Sequence, residues 1–264
     1  MDTYEAIFRR RSVRKYSDKR LSKSLLQKLD KYTDNLNQLY DDIDIEVNIV
    51  EEGEKIHEIM SGIIGSYGKI KAQHYMIITS EQKDGYLENV GFALEPVILK
   101  LTTAKIGTCW IGGHVPKDKL KGILDIKEGH EAVIVISLGY AENNPLRDRK
   151  QAKRKSISDI TVGNLEEGWK EPIESARFAP SAVNSQPWRF KPDKDKLHAY
   201  SVKRSRFTKM IASDLHLLNR IDVGIALSHI KIASDKSNRN IRFRKLDDAP
   251  EIKKLKYISS VIKN

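Results

Sequence analysis

The amino-acid sequence predicts an α+β protein whose two homologous halves pack together, with mixed or antiparallel sheets flanked by helices. With 264 residues, the chain is long enough for a large buried core. Segments with helical and with strand periodicity follow one another in a similar order in both halves. A short mid-helix sequence also recurs, as VGFAL at 90–94 and VGIAL at 223–227. This echo alone could be chance, but the matching element order favours an internal duplication.

The first half, residues 1–155, begins with a short helix and continues with a leucine-rich helix whose apolar residues recur at helical spacing. The apolar run at 132–138 is continuous, which is typical of a central strand. The predicted helices cover 3–9, 22–39, 53–62, 84–104 and 116–124, and the predicted strands cover 43–50, 74–79 and 132–138.

Residues 141–159 are rich in lysine and arginine and poor in apolar residues, which predicts a solvated connection between the halves. The second half, residues 156–264, repeats the order of elements. Its predicted helices cover 164–178 and 213–234, its strands 188–192 and 196–202, and a loop covers 179–187. The glycine in the middle of each echoed helix costs about 1 kcal/mol relative to alanine, and close approach of another helix usually compensates for such a glycine.

The composition limits the classes of site and of function that are possible. The chain has a formal net charge of +11 and a single cysteine, Cys109, so an internal disulfide and a multi-cysteine metal site are excluded. We expect no metal, no membrane span and no exported segment, and therefore a cytoplasmic protein. The positive charge indicates a solvated basic surface or attraction to nucleic acid. No zinc-finger spacing, RNA-binding aromatic signature or Walker loop supports the second interpretation.

A basic cluster follows the first helix. Arg10, Arg11 and Arg14, together with the Ser12 hydroxyl, place guanidinium groups and a further donor within five residues. Arginine can bind a phosphate monoester through two parallel hydrogen bonds, so the cluster is a candidate phosphate site. The alternative is a solvated N-terminal basic run.

The loop and strand start at 179–188 read APSAVNSQPW. A proline near each end restricts the backbone, and side-chain donors and acceptors between them could hold a polar planar ligand. The candidate residues are Pro180, Ser181, Ala182, Asn184 and Gln186. The alternative is an ordinary turn, since serine, asparagine and proline favour turns for local reasons.

A third segment, GTCWIGG at 107–113, ends in adjacent glycines. Without a Cβ, the backbone N–H groups near Ile111, Gly112 and Gly113 could approach a ligand closely. The alternative is a bulged strand end in which Trp110 belongs to the core.

The order of these motifs, followed by KRK at 153–155, resembles the FMN-dependent nitroreductase family. The resemblance implies an α+β fold with FMN held between two subunits. One side would supply Arg10, Arg11, Ser12, Arg14, the Ile111–Gly113 backbone and a basic pair at Lys153 and Lys155. The other side would supply the Pro-Ser-x-x-Asn loop.

The sequence departs from the family in one respect. The loop that should follow the Arg-Ser cluster by a few tens of residues is absent, and residues 34–39 stand there instead. The loop occurs at 180–188, while the second half has 236–246 where an Arg-Ser cluster or glycine segment would be expected. Each half therefore lacks what the other supplies. This indicates a fused pseudo-dimer with one complete and one degenerate site, and the chain resembles a single-chain, fused type of nitroreductase. The resemblance then implies one FMN per chain and a protein that does not need to dimerise.

The resemblance implies ping-pong hydride transfer from NADH or NADPH to a small electron-poor acceptor of the nitroaromatic or quinone type. It requires no catalytic side chain, because backbone N–H groups of Gly112 and Gly113 would contact flavin N5. His114 could line the pocket or be structural. The alternatives are other flavin chemistry on the same fold, such as reductive dehalogenation or flavin destruction, a non-catalytic flavin or nucleotide sensor, and a basic nucleic-acid-binding protein.

Overall fold

The computed structural model describes residues 1–60, 70–112, 117–203 and 215–264. In its first half a short helix, capped at its N-terminus by the Asp2 carboxylate, precedes a sheet and the helices around it. The elements are α1 (Thr3–Arg9), α2 (Lys23–Thr33), β1 (Ile45–Val50), α3 (Gly53–Met60), β2 (His74–Glu81), α4 (Tyr86–Thr103), β3 (Gly107–Ile111), α5 (Lys117–Leu120) and β4 (His130–Gly139).

The second half begins after a 3-10 turn at Arg149–Gln151. A long helix, α8, runs through its centre as α4 runs through the first half. The elements are α6 (Ile157–Ile160), α7 (Glu167–Arg177), a 3-10 turn at Ala182–Asn184, β5 (Trp188–Asp193), β6 (Lys196–Val202), α8 (Leu215–Lys236), β7 (Ile241–Arg244) and β8 (Leu255–Lys263).

Each half contains a four-stranded sheet with the same strand order. The orders are β1-β2-β4-β3 and β5-β6-β8-β7, and every neighbouring pair is antiparallel. Both sheets have a register shift between their two central strands, at Ile78/Thr79 in the first and at Ala199/Tyr200 in the second. The expected sheets are therefore antiparallel, and the continuously apolar β4 is central, as its sequence predicts.

Helices α4 and α8 meet at the two echoed glycines. A Cβ on Gly91 would lie 2.1 Å from the Ile221 carbonyl oxygen, and a Cβ on Gly224 would lie 2.0 Å from the Glu88 carbonyl oxygen. Each carbonyl belongs to the residue three positions before the opposite glycine, so the contact is the same in both directions. The two backbones can approach this closely only because both positions lack a side chain.

Two polar side chains near these glycines hold loops onto the helix pair. In α4, the Asn89 amide oxygen accepts hydrogen bonds from the backbone N–H groups of Leu39 (2.8 Å) and Tyr40 (3.0 Å). In α8, the Asp222 carboxylate accepts one from Ala182 N–H at 3.1 Å. Asn89 and Asp222 each lie two residues before their glycine, so the two halves also match in how a loop is anchored.

The core is continuous across both halves. One cluster of buried apolar side chains contains Met76 and Leu94 of the first half together with Trp188 and Ile225 of the second. A second cluster covers the other face of the first sheet, and a third packs α1 against Phe178 of the second half. The two halves are thus joined by shared packing of their cores.

Some local expectations are corrected. Helix α2 ends at Thr33, not at residue 39, because the following segment folds back onto Asn89. Strand β8 was not expected from the sequence. The 141–159 connection is not fully solvated, since Leu146 pairs with Arg10. Within the residues that the structure describes, none of the helices combines the length and apolarity needed to cross a bilayer.

Candidate functional site

The basic N-terminal cluster lies along the glycine segment. Ser12 pairs in parallel with Thr108 of β3, and Val13 N–H donates to the Thr108 carbonyl at 2.9 Å. A Cβ on Gly107 would lie 2.8 Å from a Val13 methyl carbon, so glycine is needed there for the close approach. The first and third predicted motifs therefore lie side by side.

The basic connection after β4 also contacts the N-terminal cluster. Leu146 forms an antiparallel bridge with Arg10, and Arg147 N–H donates to the Arg9 carbonyl at 2.8 Å. Arg154, further along, donates from Nη1 to the Asn184 amide oxygen at 2.9 Å and from Nη2 to the Phe178 carbonyl at 3.1 Å. The connection thus links the N-terminal cluster to the loop of the second half.

Guanidinium groups are concentrated where these segments meet. Burial, followed by repulsion from Arg10 and Arg11, lowers the pKa of Arg147 to about 10. Burial, followed by repulsion from Arg147, Arg10 and Arg177, lowers the pKa of Arg154 to about 9. Both groups remain cationic at neutral pH, but their charges repel one another at a cost that a bound anion would relieve.

Several buried donor atoms in this cluster make no hydrogen bond. Among the described residues, Nε and Nη2 of Arg10, Nε of Arg147 and Nε of Arg154 are buried and make no hydrogen bond. The Thr108 hydroxyl, next to Ser12, is also buried and makes no hydrogen bond. Buried donors are nearly always satisfied in folded proteins, so a group of unpaired cationic donors is what an anion site would show. This arrangement fits the phosphate of a flavin mononucleotide.

The basic residues that the sequence predicts to bind the phosphate differ in their burial and in their contacts. Arg10 is buried, whereas Arg11 and Arg14 are exposed. Lys153 is exposed, and its carbonyl accepts from Asn184 Nδ2 at 3.1 Å. Lys155 points towards the loop, where its ammonium donates to the Ser185 carbonyl at 3.1 Å. Arg154, between the two predicted lysines, is the residue that the fold brings into electrostatic contact with Arg10.

The loop of the second half is held by hydrogen bonds. Ser181 Oγ accepts from Gln186 N–H at 3.0 Å, and the Gln186 amide is engaged at both ends, by Lys155 N–H and by the Asn184 carbonyl. Pro180 is buried, Ser181 and Ala182 are half-buried, and Asn184 is exposed. The Gln186 side chain therefore supports the loop from within.

The same loop has an unusual backbone. Val183, Asn184 and Gln186 have φ angles of 48°, 55° and 50°, in the left-handed region. For the β-branched Val183 this conformation is costly, and such strain persists only where the surrounding structure imposes it. Hydrogen bonds to Asp222, Arg154 and Lys155 hold the neighbouring Ala182 N–H and the side chains of Asn184 and Gln186 in place.

The glycine segment reaches the second half at its end. Ile111 is buried, and a Cβ on Gly112 would lie 2.4 Å from a methyl carbon of Leu218 in α8. Gly113 and His114, predicted near the flavin ring, lie outside the described residues. Burial raises the pKa of the Cys109 thiol in β3, so this cysteine is not an activated nucleophile.

A buried carboxylate, Glu95 of α4, lies next to both Arg10 and the glycine segment. Its Oε2 accepts from Trp110 Nε1 at 3.1 Å, and its Oε1 lies 3.1 Å from His229 Nε2 of α8 and 3.8 Å from Arg10 Nε. Glu95 therefore touches both candidate cofactor segments of the first half and the central helix of the second.

Sequence reasoning missed four of these residues: Arg147, Arg154, Glu95 and Asp222. A signal existed for Asp222, because the helix echo extends to N-V-G at 89–91 and D-V-G at 222–224. Arg154 stands inside the KRK motif and could have been considered with its neighbours. For Arg147 and Glu95 no local signal exists, since their partners are distant along the chain.

A family model described as "Putative TM nitroreductase" matches residues 2–234, which span both sheets of the fold. No curated protein matches in a sequence search.

Solved structures of this fold are also similar. A protein from Thermotoga maritima MSB8 described as a nitroreductase aligns over 100% of this chain and 93% of its own, with a TM-score of 0.63 and 19% identity. One from Parabacteroides distasonis ATCC 8503, described as an NADH dehydrogenase/NAD(P)H nitroreductase, aligns over 62% of this chain and 98% of its own (TM-score 0.51, 18% identity). An FMN-dependent nitroreductase from Clostridium difficile R20291 aligns over 61% of this chain and 98% of its own (TM-score 0.48, 18% identity).

Proposed function

The chain belongs to this nitroreductase family, and on that premise we propose that it is an FMN-dependent oxidoreductase that takes electrons from NADH or NADPH. The observation that carries the proposal is the group of buried, unpaired guanidinium donors beside the glycine segment. The proposed acceptor is a small electron-poor molecule of the nitroaromatic or quinone class.

The residues of this chain have distinct tasks in the proposal. Arg10, Arg147 and Arg154 would bind the phosphate, and Ser12 with the neighbouring Thr108 hydroxyl would add neutral donors. Arg11, Arg14, Lys153 and Lys155 remain predictions from the family motif. FMN supplies the hydride chemistry when bound, and the protein supplies binding and orientation.

The ring of the cofactor would lie between the halves. The Ile111–Gly113 backbone would approach it from the first half, with Gly113 placed there by sequence alone. Ser181, Ala182 and Asn184 would approach from the second half, on a loop that Asp222 and Arg154 hold in a strained conformation. A rigid loop of this kind orients a ligand without a large loss of entropy on binding.

We further propose that residues 1–155 and 156–264 form an internal pseudo-dimer with a single flavin site. Gly85 and Leu218 each lie six residues before the echoed glycine of their helix, and Lys245 follows β7 as Gly112 follows β3, so Gly85 and Lys245 mark the second position. Gly85 is covered by Tyr40, whose Cε2 would lie 2.5 Å from an added Cβ. Lys245 lies over the same ring and pairs with Asp84. Side chains fill this second position, which supports one flavin per chain and a protein that works as a monomer.

The function is tested by adding NADH or NADPH to the purified, flavin-loaded chain without oxygen. We expect the flavin absorbance to bleach and then to return when menadione or nitrofurazone is added. Binding of FMN with neither donor causing bleaching would contradict the enzymatic proposal and would indicate a flavin sensor. A chain that binds no FMN would overturn the proposal altogether.

A further inference from the structure

The buried pair of Glu95 and His229 joins the two halves behind the candidate flavin site. Glu95 is 0% exposed, and His229, from α8, is also 0% exposed. The other ring nitrogen of His229, Nδ1, lies 3.0 Å from the carbonyl oxygen of Ser175 in α7. Both nitrogens of this imidazole therefore face oxygen atoms.

The hydrogen-bond geometry fixes the number of protons. A carbonyl oxygen can only accept, so His229 Nδ1 carries a hydrogen. In a neutral imidazole the other nitrogen, Nε2, would then have only a lone pair, yet it lies 3.1 Å from Glu95 Oε1. This contact is a hydrogen bond only if an additional proton lies between the two atoms.

The surroundings decide which partner holds that proton. Trp110 Nε1 donates to the other Glu95 oxygen, and the Arg10 guanidinium lies 3.8 Å from Oε1. A donor and a cation both favour the ionised carboxylate. Two other carboxylates of α7 lie near Ser175 in the sequence, and both have partners other than His229. Glu171 accepts a hydrogen bond from the Tyr4 hydroxyl, and Glu174 accepts one from Arg177.

We propose that His229 is a buried imidazolium paired with the Glu95 carboxylate, and that this pair positions Arg10 for an anionic cofactor. Arg10, Glu95 and His229 then carry a net charge of +1, so the carboxylate does not cancel the attraction of Arg10 for a phosphate. The second half would thereby set the charge of a binding site whose phosphate contacts come from the first. The protonation of His229 does not depend on the proposed function, whereas the effect of His229 on FMN binding does.

The proton is tested by 15N NMR of the full-length, flavin-free chain at pH 8. We expect one histidine, identified by its loss in His229→Gln, to show both ring nitrogens protonated. In Glu95→Gln the amide can donate to Nε2, so the His229 signals should change to the neutral form protonated only at Nδ1. A neutral His229 in the unmodified chain would overturn the proposal, whether or not FMN binds.

The effect on binding is tested by titrating FMN and riboflavin, which differ only in the phosphate. His229→Gln removes one positive charge near Arg10, and we expect FMN affinity to fall on the order of tenfold with riboflavin affinity unchanged. His198→Gln is the matched control, because His198 is also buried but bonds to Ser260 in the second sheet. Equal losses for both ligands would show that His229 only supports the fold, which would contradict its positioning role.

Discussion

Replacing Gly91 with alanine is expected to destabilise the protein by about 3 kcal/mol or more. The new methyl group would lie 2.1 Å from the Ile221 carbonyl oxygen, in the backbone of α8, which cannot rotate away as a side chain would. The two helices must separate, and the continuous core loosens with them. Thermal unfolding should show the melting temperature falling by roughly 6 to 12 °C.

Two further variants make this result specific. Gly224→Ala should cost a similar amount, because its Cβ would meet the Glu88 carbonyl oxygen at 2.0 Å. Gly168→Ala is the control: it lies in α7, where the nearest atom to an added Cβ is the flexible end of Lys263. We expect it to be neutral or slightly stabilising, since alanine favours the helix. A Gly91→Ala protein as stable as the Gly168→Ala protein would contradict the close contact of α4 and α8.

The double variant Arg10→Ala with Arg154→Ala is expected to weaken FMN binding by about 100-fold or more. Each charge-assisted hydrogen bond is worth about 1.5–3 kcal/mol, and two would be lost. Riboflavin lacks the phosphate, so it should lose only the affinity that depends on the bond between Arg154 and the Asn184 loop, and its loss should be much smaller than that of FMN. Fluorescence titration of both ligands measures the ratio directly.

A matched control separates specific contacts from loss of net charge. Arg242→Ala with Arg244→Ala removes two exposed cations from β7 and should leave FMN affinity close to that of the unchanged chain. Lys155→Ala distinguishes the structural assignment from the family motif. If Lys155→Ala loses as much FMN affinity as Arg154→Ala, the predicted lysine contributes to phosphate binding as much as Arg154 does.

Much of the fold follows from local patterns. Helix α4 and helix α8 begin and end within about two residues of their predicted bounds, because their apolar residues recur at helical spacing over a long stretch. Strand β8 could not be predicted in this way. Its sequence, LKYISSVIK, interrupts the alternation with two serines, and it is held by pairing with β6 and β7. Such non-local pairing leaves little signal in the segment itself.

The same distinction between local patterns and non-local contacts applies to the candidate site. The Arg-x-Ser cluster, the glycine segment and the Pro-Ser-x-x-Asn loop could be identified because each is a short motif. The structure brings the described parts of all three together. The roles of Arg147, Arg154 and Glu95 depend on groups that only folding places beside them, such as Arg10 and His229. The sequence motif gave Arg10, Arg11 and Arg14 for the phosphate, and the family resemblance added Lys153 and Lys155. Burial and charge point instead to Arg10 with Arg147 and Arg154.

The central claim, one flavin site shared by the two halves of a single chain, is tested most directly by counting flavin. Isothermal titration of the flavin-free chain with FMN, at a chain concentration determined by amino-acid analysis, gives the stoichiometry, and sedimentation equilibrium gives the mass of the complex. We predict one FMN per chain in a monomer. Two FMN per chain would show that the position around Tyr40 and Lys245 is open, and one FMN per two chains would show that the site is built between molecules; either result would contradict the account.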